Sequence, residues 1–152
     1  MRCTWGSIFL GLVLAPGLVW AQGGAVHEFG PQFTATTPDP PAVVAGIYGA
    51  IRPERRLRLA ANAGIGVQGS DLAWRFEALG HFLLNPRTLG IGVYGGAGVV
   101  LAGGVATQGY LVVLVGIEVA PGGPRGWAVE LGVGGGVRIG ASYRWRRRSG
   151  GR

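Results

Sequence analysis

The sequence reads as an all-β chain: a single antiparallel up-and-down transmembrane β-barrel of about eight strands over residues 26–145, behind an N-terminal signal peptide. Three observations predict this. Short apolar segments alternate with period two and are separated by Gly/Pro turn clusters. The 31 glycines are spread along the chain, too frequent for a stable helical stripe. Most telling is Trp127–Trp145. Its odd positions (Trp127, Val129, Leu131, Val133, Gly135, Val137, Ile139, Ala141, Tyr143, Trp145) are mostly greasy and end in aromatics, while its even positions hold Glu130, Arg138, Ser142, Arg144 and otherwise only glycine and alanine. A solvated face carries many polar side chains; a glycine-rich face with a few charges is crowded. A narrow barrel that is apolar outside and charged within produces that pattern.

The first element is a secretory signal. Arg2 supplies a positive start, Ile8–Val19 an apolar run broken by Pro16, and Val19-Trp20-Ala21 a small-residue cleavage pattern, so residues 1–21 are expected to be removed. A retained anchor fits less well, because the run is too short to span a bilayer. Cys3 falls inside this segment, so the mature chain would have no thiol to form a disulfide, ligate a metal or attack a substrate.

The strands follow in order. Val26–Thr36 forms a first strand in which Pro31 implies a bulge. Val43–Ile51 sets Val43, Ala45, Ile47 and Ile51 against Val44, Gly46, Tyr48 and Ala50. Leu57–Val67 puts Leu57, Leu59, Ile65 and Val67 opposite Arg58, Asn62 and glycines. In Leu72–Leu84 the phase inverts: Trp74, Phe76 and Phe82 oppose Arg75, Glu77 and His81. A two-residue loop at Gly69-Ser70 requires that inversion, since it pairs Gln68 with Asp71. Leu89–Leu101 presents Ile91, Val93 and Val99 opposite glycines and Tyr94, and Tyr110–Val119 is apolar on both faces until Glu118. The last stretch splits into two strands if Gly134-Gly135-Gly136 is a three-residue loop, which keeps parity as observed. Six or seven strands are the alternatives. Eight places the Arg52–Arg55, Asn85–Thr88 and Pro121–Gly126 turns at the end holding both termini.

All fourteen basic residues are arginine, and the formal net charge is +7. Basicity of this size can serve nucleic acid, but the export signal and the lack of a basic stripe interleaved with aromatics argue against it. Arg52, Arg55, Arg56, Arg58, Arg87, Arg125, Arg144 and Arg146–Arg148 lie in turns and near the C-terminus, where anionic lipid headgroups are a better partner than nucleic acid and a merely solvated arginine-rich surface is the alternative. Residues 146–152 read as a basic tail.

With these strands, turns and the aromatic end Tyr143/Trp145 in place, the chain resembles the small eight-stranded outer-membrane β-barrel proteins, the OmpA/OmpX-like porin-type superfamily. The resemblance covers roughly Val26–Trp145. It implies residence in the outer membrane of a Gram-negative-type envelope, a monomer, and a C-terminal strand read by the barrel-assembly machinery. One departure is that Arg146–Arg152 follows the terminal aromatic. The resemblance also implies a barrel too narrow for a wide pore, filled by side chains.

Residue parity agrees. Arg58, Arg75, Glu77, Glu118, Glu130, Arg138 and Arg144 all take the non-greasy phase, so they are expected to form a paired lumen network, with Glu130 diagonal to Arg138. A packed core without activity is the favoured reading of that network, and a gated conduction path is the alternative. Catalysis is not expected. His27, His81, Ser70 and Ser142 are the available groups, and no spacing makes them a nucleophile–base pair. Two histidines without ligand spacing give no metal site, and Gly92–Gly98 and Gly132–Gly136 lack the lysine and helix of a phosphate loop, so no cofactor is expected. The competing architecture is a soluble exported lipocalin-like barrel with an apolar ligand inside. It would turn Trp74, Phe76, Ile91, Val93, Leu131 and Ile139 inward.

Overall fold

The computed structural model describes residues 25–37, 40–85, 89–104 and 106–148. The signal peptide and Arg87 lie outside them. Eight strands follow one another: β1 (Val26–Thr36), β2 (Ala42–Arg52), β3 (Leu57–Gln68), β4 (Asp71–Leu83), β5 (Ile91–Gly103), β6 (Gln108–Val119), β7 (Arg125–Val133) and β8 (Val137–Arg148). Each pairs antiparallel with the next, and β1 closes on β8, so no strand edge is left open.

Turn chemistry sets the register. Gln68 pairs with Asp71 across Gly69-Ser70, with Gly69 left-handed at φ 63°. Val133 pairs with Val137 across the triple glycine, where Gly135 takes φ 65°, a conformation that L side chains avoid. The expected parity changes therefore hold around the barrel, and one set of side chains faces inward throughout.

That inward set is the glycine-rich, charged one. Curling eight strands into a cylinder crowds the concave face, so small residues belong there and bulky ones outside. Phe76, Ile91, Val93, Leu131 and Ile139 are exposed, and Trp74 lies half-buried on the same outer face. The lipocalin-like facing is thus the reverse of what is observed. β6, ambiguous in sequence, turns Leu111, Val113, Val115, Ile117 and Val119 outward, and Val112, Leu114 and Glu118 inward.

Three local expectations change. Pro31 makes no bulge: partner numbering between β1 and β8 stays in step from Phe29↔Trp145 to Gln32↔Ser142, with pairing interrupted only at Gly30 and Pro31. Proline has no N–H to give, and here it loses bonds to one neighbour without shifting the strand. β5 runs two residues further than the Leu101 boundary, into the expected Ala102-Gly103-Gly104 turn. β8 continues past Trp145 to Arg148, because Arg146–Arg148 pair with Glu28, His27 and Val26. The whole described part of the expected tail, residues 146–148, is therefore barrel wall.

Candidate functional site

The barrel interior is the site. Arg58, Arg75, Glu77, Glu118, Glu130, Arg138 and Arg144 are all buried there, as their shared parity requires. Strand geometry stacks them in two layers.

The layer nearer the termini centres on Glu118 of β6. Its Oε2 accepts from Arg58 Nη1 at 2.8 Å, Arg144 Nη1 at 3.2 Å and Arg146 Nη2 at 3.2 Å. Arg52 Nη2 reaches both carboxylate oxygens, at 3.0 and 2.9 Å. Glu28 is the second acid of this layer. It accepts from Arg146 Nε at 3.0 Å and Tyr48 Oη at 3.2 Å, and lies 2.6 Å from Arg52 Nε. Arg52 and Arg146 also hold the β6–β7 turn over the mouth. Arg52 Nη1 donates to the Pro121 carbonyl, and Arg146 Nη1 to those of Ala120 and Gly123. Ala120 is left-handed, at φ 49°. The Ala120 carbonyl, on a residue held in the left-handed region, thus accepts from Arg146 at this end of the lumen.

The second layer joins β4, β7 and β8. Arg138 grips Glu77 with two parallel bonds, Nε to Oε1 at 3.0 Å and Nη2 to Oε2 at 2.8 Å. Its remaining nitrogen, Nη1, donates to Glu130 Oε2 at 2.9 Å. The expected diagonal pair is therefore present: Gly132 is level with Arg138, and Glu130 stands one inward position away. Tyr94 Oη donates to Glu130 at 2.7 Å and accepts from Arg144 at 3.1 Å, tying the two layers together. Arg144 lies over the Tyr48 ring, 4.4 Å from its centroid, and Arg58 over Tyr94 at the same distance.

Glu28, Arg52 and Arg146 were absent from the expected set. For two of them the sequence carries a signal: Arg52 continues the inward parity of β2 one step past Ala50, and Arg146 that of β8 one step past Arg144. In sequence Arg52 reads as part of a turn and Arg146 as part of a tail, and Glu28 belongs to a strand whose facing the sequence leaves open. Tyr48 and Tyr94 stood on the correct face, but their service to carboxylates could not be read from spacing.

The candidate catalytic groups do not assemble into a pair. His81 Nδ1 accepts from Arg58 Nε at 3.1 Å, and Ser142 Oγ accepts from Arg144 Nε at 3.0 Å. His27 is exposed on the outer wall and Ser70 in the β3–β4 turn. A concavity of about 1250 Å³ on the outer wall is a mainly apolar groove, lined among others by Phe29, Ile47, Phe76, Leu101 and Trp145.

Packing inside the lumen predicts a mutational effect. A Cβ at Gly116 would overlap the Tyr94 ring, and hydrogen bonds to Glu130 and Arg144 hold that ring in place. Gly116→Val should therefore destabilise the barrel by ~1–3 kcal/mol, the usual cost of overpacking. A lowered urea midpoint on refolding checks it, and a valine tolerated without change would show that Tyr94 moves freely.

No protein-family model matches the chain, and no curated protein matches it in sequence. Solved structures do match. The N-terminal β-barrel domain of Pseudomonas aeruginosa OprF superposes with a TM-score of 0.67 at 11% identity, covering 83% of this chain and 100% of that one. Neisserial surface protein A gives a TM-score of 0.57 at 14% identity, covering 84% and 97%. The fold is that of the small eight-stranded outer-membrane barrels, reached here with little sequence in common.

Proposed function

We propose that this protein is an integral outer-membrane β-barrel, monomeric and non-enzymatic, whose role is structural or limited to small-solute exchange or interaction at its mouths. The inversion of the molecule carries this reading: large apolar side chains cover the outside while four glutamates and six arginines fill the inside. Water does not accommodate such an exterior, and a bilayer does. Aromatics support the placement. Phe29, Trp127, Tyr143 and Trp145 cluster on the outer wall toward the termini, with ring centroids 4.8–5.5 Å apart, where an interfacial girdle would lie. Exposed Arg55, Arg56, Arg125, Arg147 and Arg148 sit at the same end, suited to anionic headgroups. The aromatic C-terminal strand suits the barrel-assembly machinery as its reader, although three arginines of β8 follow the last aromatic.

Two observations support a limited role. Buried ion pairs crowd the lumen, and Arg52 and Arg146 tie the β6–β7 turn to them, which favours a filled core over a channel. The loops at the end opposite the termini are short, down to two residues at Gly69-Ser70 and three at Gly134–Gly136, leaving little surface for an adhesin.

Membrane fractionation with a heat-modifiability gel tests the placement. The chain is expected in the outer-membrane fraction with a folded band that shifts on boiling, and recovery in the soluble periplasm without detergent would overturn it. In planar bilayers the purified barrel should show no sustained porin-sized conductance. Steady open-channel current would favour the conduction path instead.

A further inference from the structure

We propose that the barrel mouth opposite the termini is a binding cup for a small oxyanion, held by Arg75. A cavity of about 170 Å³ opens there, lined by Thr34, Thr36, Gln68, Arg75, Gln108 and Tyr110 among others. That is below the ~300 Å³ of ordinary small-molecule pockets, so the fitting ligand is a phosphate- or carboxylate-sized group. The lining includes hydroxyl and amide groups of Thr34, Thr36, Gln68, Gln108 and Tyr110, and among the described residues none that lines it is acidic.

Arg75 supplies the charge. It is only 5% exposed, and its Nη2 has no hydrogen-bond partner among the described residues. Nη1 donates to Tyr110 Oη at 2.6 Å, and Nε is spent on Glu77. Glu77 is already gripped through both oxygens by Arg138 and also accepts from Asn62 at 2.8 Å. One carboxylate thus serves two guanidiniums. Across the lumen Arg52, Arg58, Arg75, Arg138, Arg144 and Arg146 face only Glu28, Glu77, Glu118 and Glu130, an excess of two positive charges. A buried charge that lacks its full counter-charge recruits one where access allows, and of these six arginines only Arg75 lines this cavity. A void of about 10 Å³ touching Arg75 and Asn62 has room for about one water, which could bond Nη2 but would neutralise nothing.

The site rests on the barrel reading above. A micelle sample whose folding is verified by heat-modifiability tests it independently of where the chain resides in a cell. Amide resonances are followed while inorganic phosphate is added at neutral pH. Saturable shifts are expected at Thr34, Thr36, Ala102, Gln108 and Gly135, with no comparable change at the opposite turn, Ala120–Arg125. Arg75→Gln should weaken binding at least tenfold. If that variant does not fold, Gln108→Glu decides: it places a carboxylate in the cup without removing any network partner, and should abolish the shifts while leaving the folded band intact. A second titration with short-chain phosphatidylglycerol separates a headgroup from free phosphate, since a headgroup would also perturb outward-facing Leu72 and Leu111, which do not line the cup. Absence of saturable shifts, their persistence in Gln108→Glu, or their confinement to Arg55, Arg125 and Arg147 would overturn the proposal.

Discussion

Glu118→Gln is expected to leave most of the protein unable to regain its folded, heat-modifiable band. The substitution keeps shape and volume and removes only the charge. Four arginines converge on this carboxylate: Arg52, Arg58, Arg144 and Arg146. Without it, Glu28 would be the sole acid in a layer holding all four, because the other acid that Arg144 reaches, Glu130, lies in the second layer. Breaking a buried ion pair costs ~3–5 kcal/mol, since the stranded charge keeps its desolvation penalty. A folded domain has about 5–15 kcal/mol in all, so a loss at the upper end of that range removes much of it. Urea-dependent refolding into lipid vesicles measures the effect, with Glu54→Gln in the exposed β2–β3 turn as the control. An unchanged midpoint for Glu118→Gln would mean the four arginines find compensation elsewhere, and the layered network would lose its claimed importance.

The lumen could be read from sequence to the extent that it follows from parity and turn length. Both are local. Once Gly69-Ser70 inverts the phase and Gly134–Gly136 preserves it, the facing of Arg75, Glu77, Glu130 and Arg138 follows, and with it the Glu130–Arg138 contact. What escaped depends on closure. Arg146 bonds Glu28 across the β1–β8 seam, 118 residues away in the chain, and no periodicity within one segment announces which strands meet there. The same holds for the doubled load on Glu77. Its pairing with Arg75 lies within β4, but Arg138 arrives from β8 across the lumen. Composition misled at one point: a run of arginines after the last aromatic reads as a solvated tail, yet Arg146 has the inward parity and is buried.

Ile47→Arg should be the most damaging single change on the outer wall. Ile47 lies midway along β2, is 70% exposed, and neighbours Pro31 and Ala63 on the adjoining strands. In water such a position would accept arginine at almost no cost. At the midplane of a bilayer the same side chain costs ~2–4 kcal/mol, falling to ~0–1 near the interface. Ile51→Arg supplies that comparison, because Ile51 points the same way at the terminal end of the same strand, beside Arg52. The measured quantity is the difference in urea midpoint between the two variants in vesicles, repeated in micelles. A large gap in vesicles that narrows in micelles, where a detergent layer adapts to the charge, locates the belt in the lipid core. Equal midpoints in vesicles would detach the apolar exterior from the bilayer, and the membrane reading would have to be abandoned.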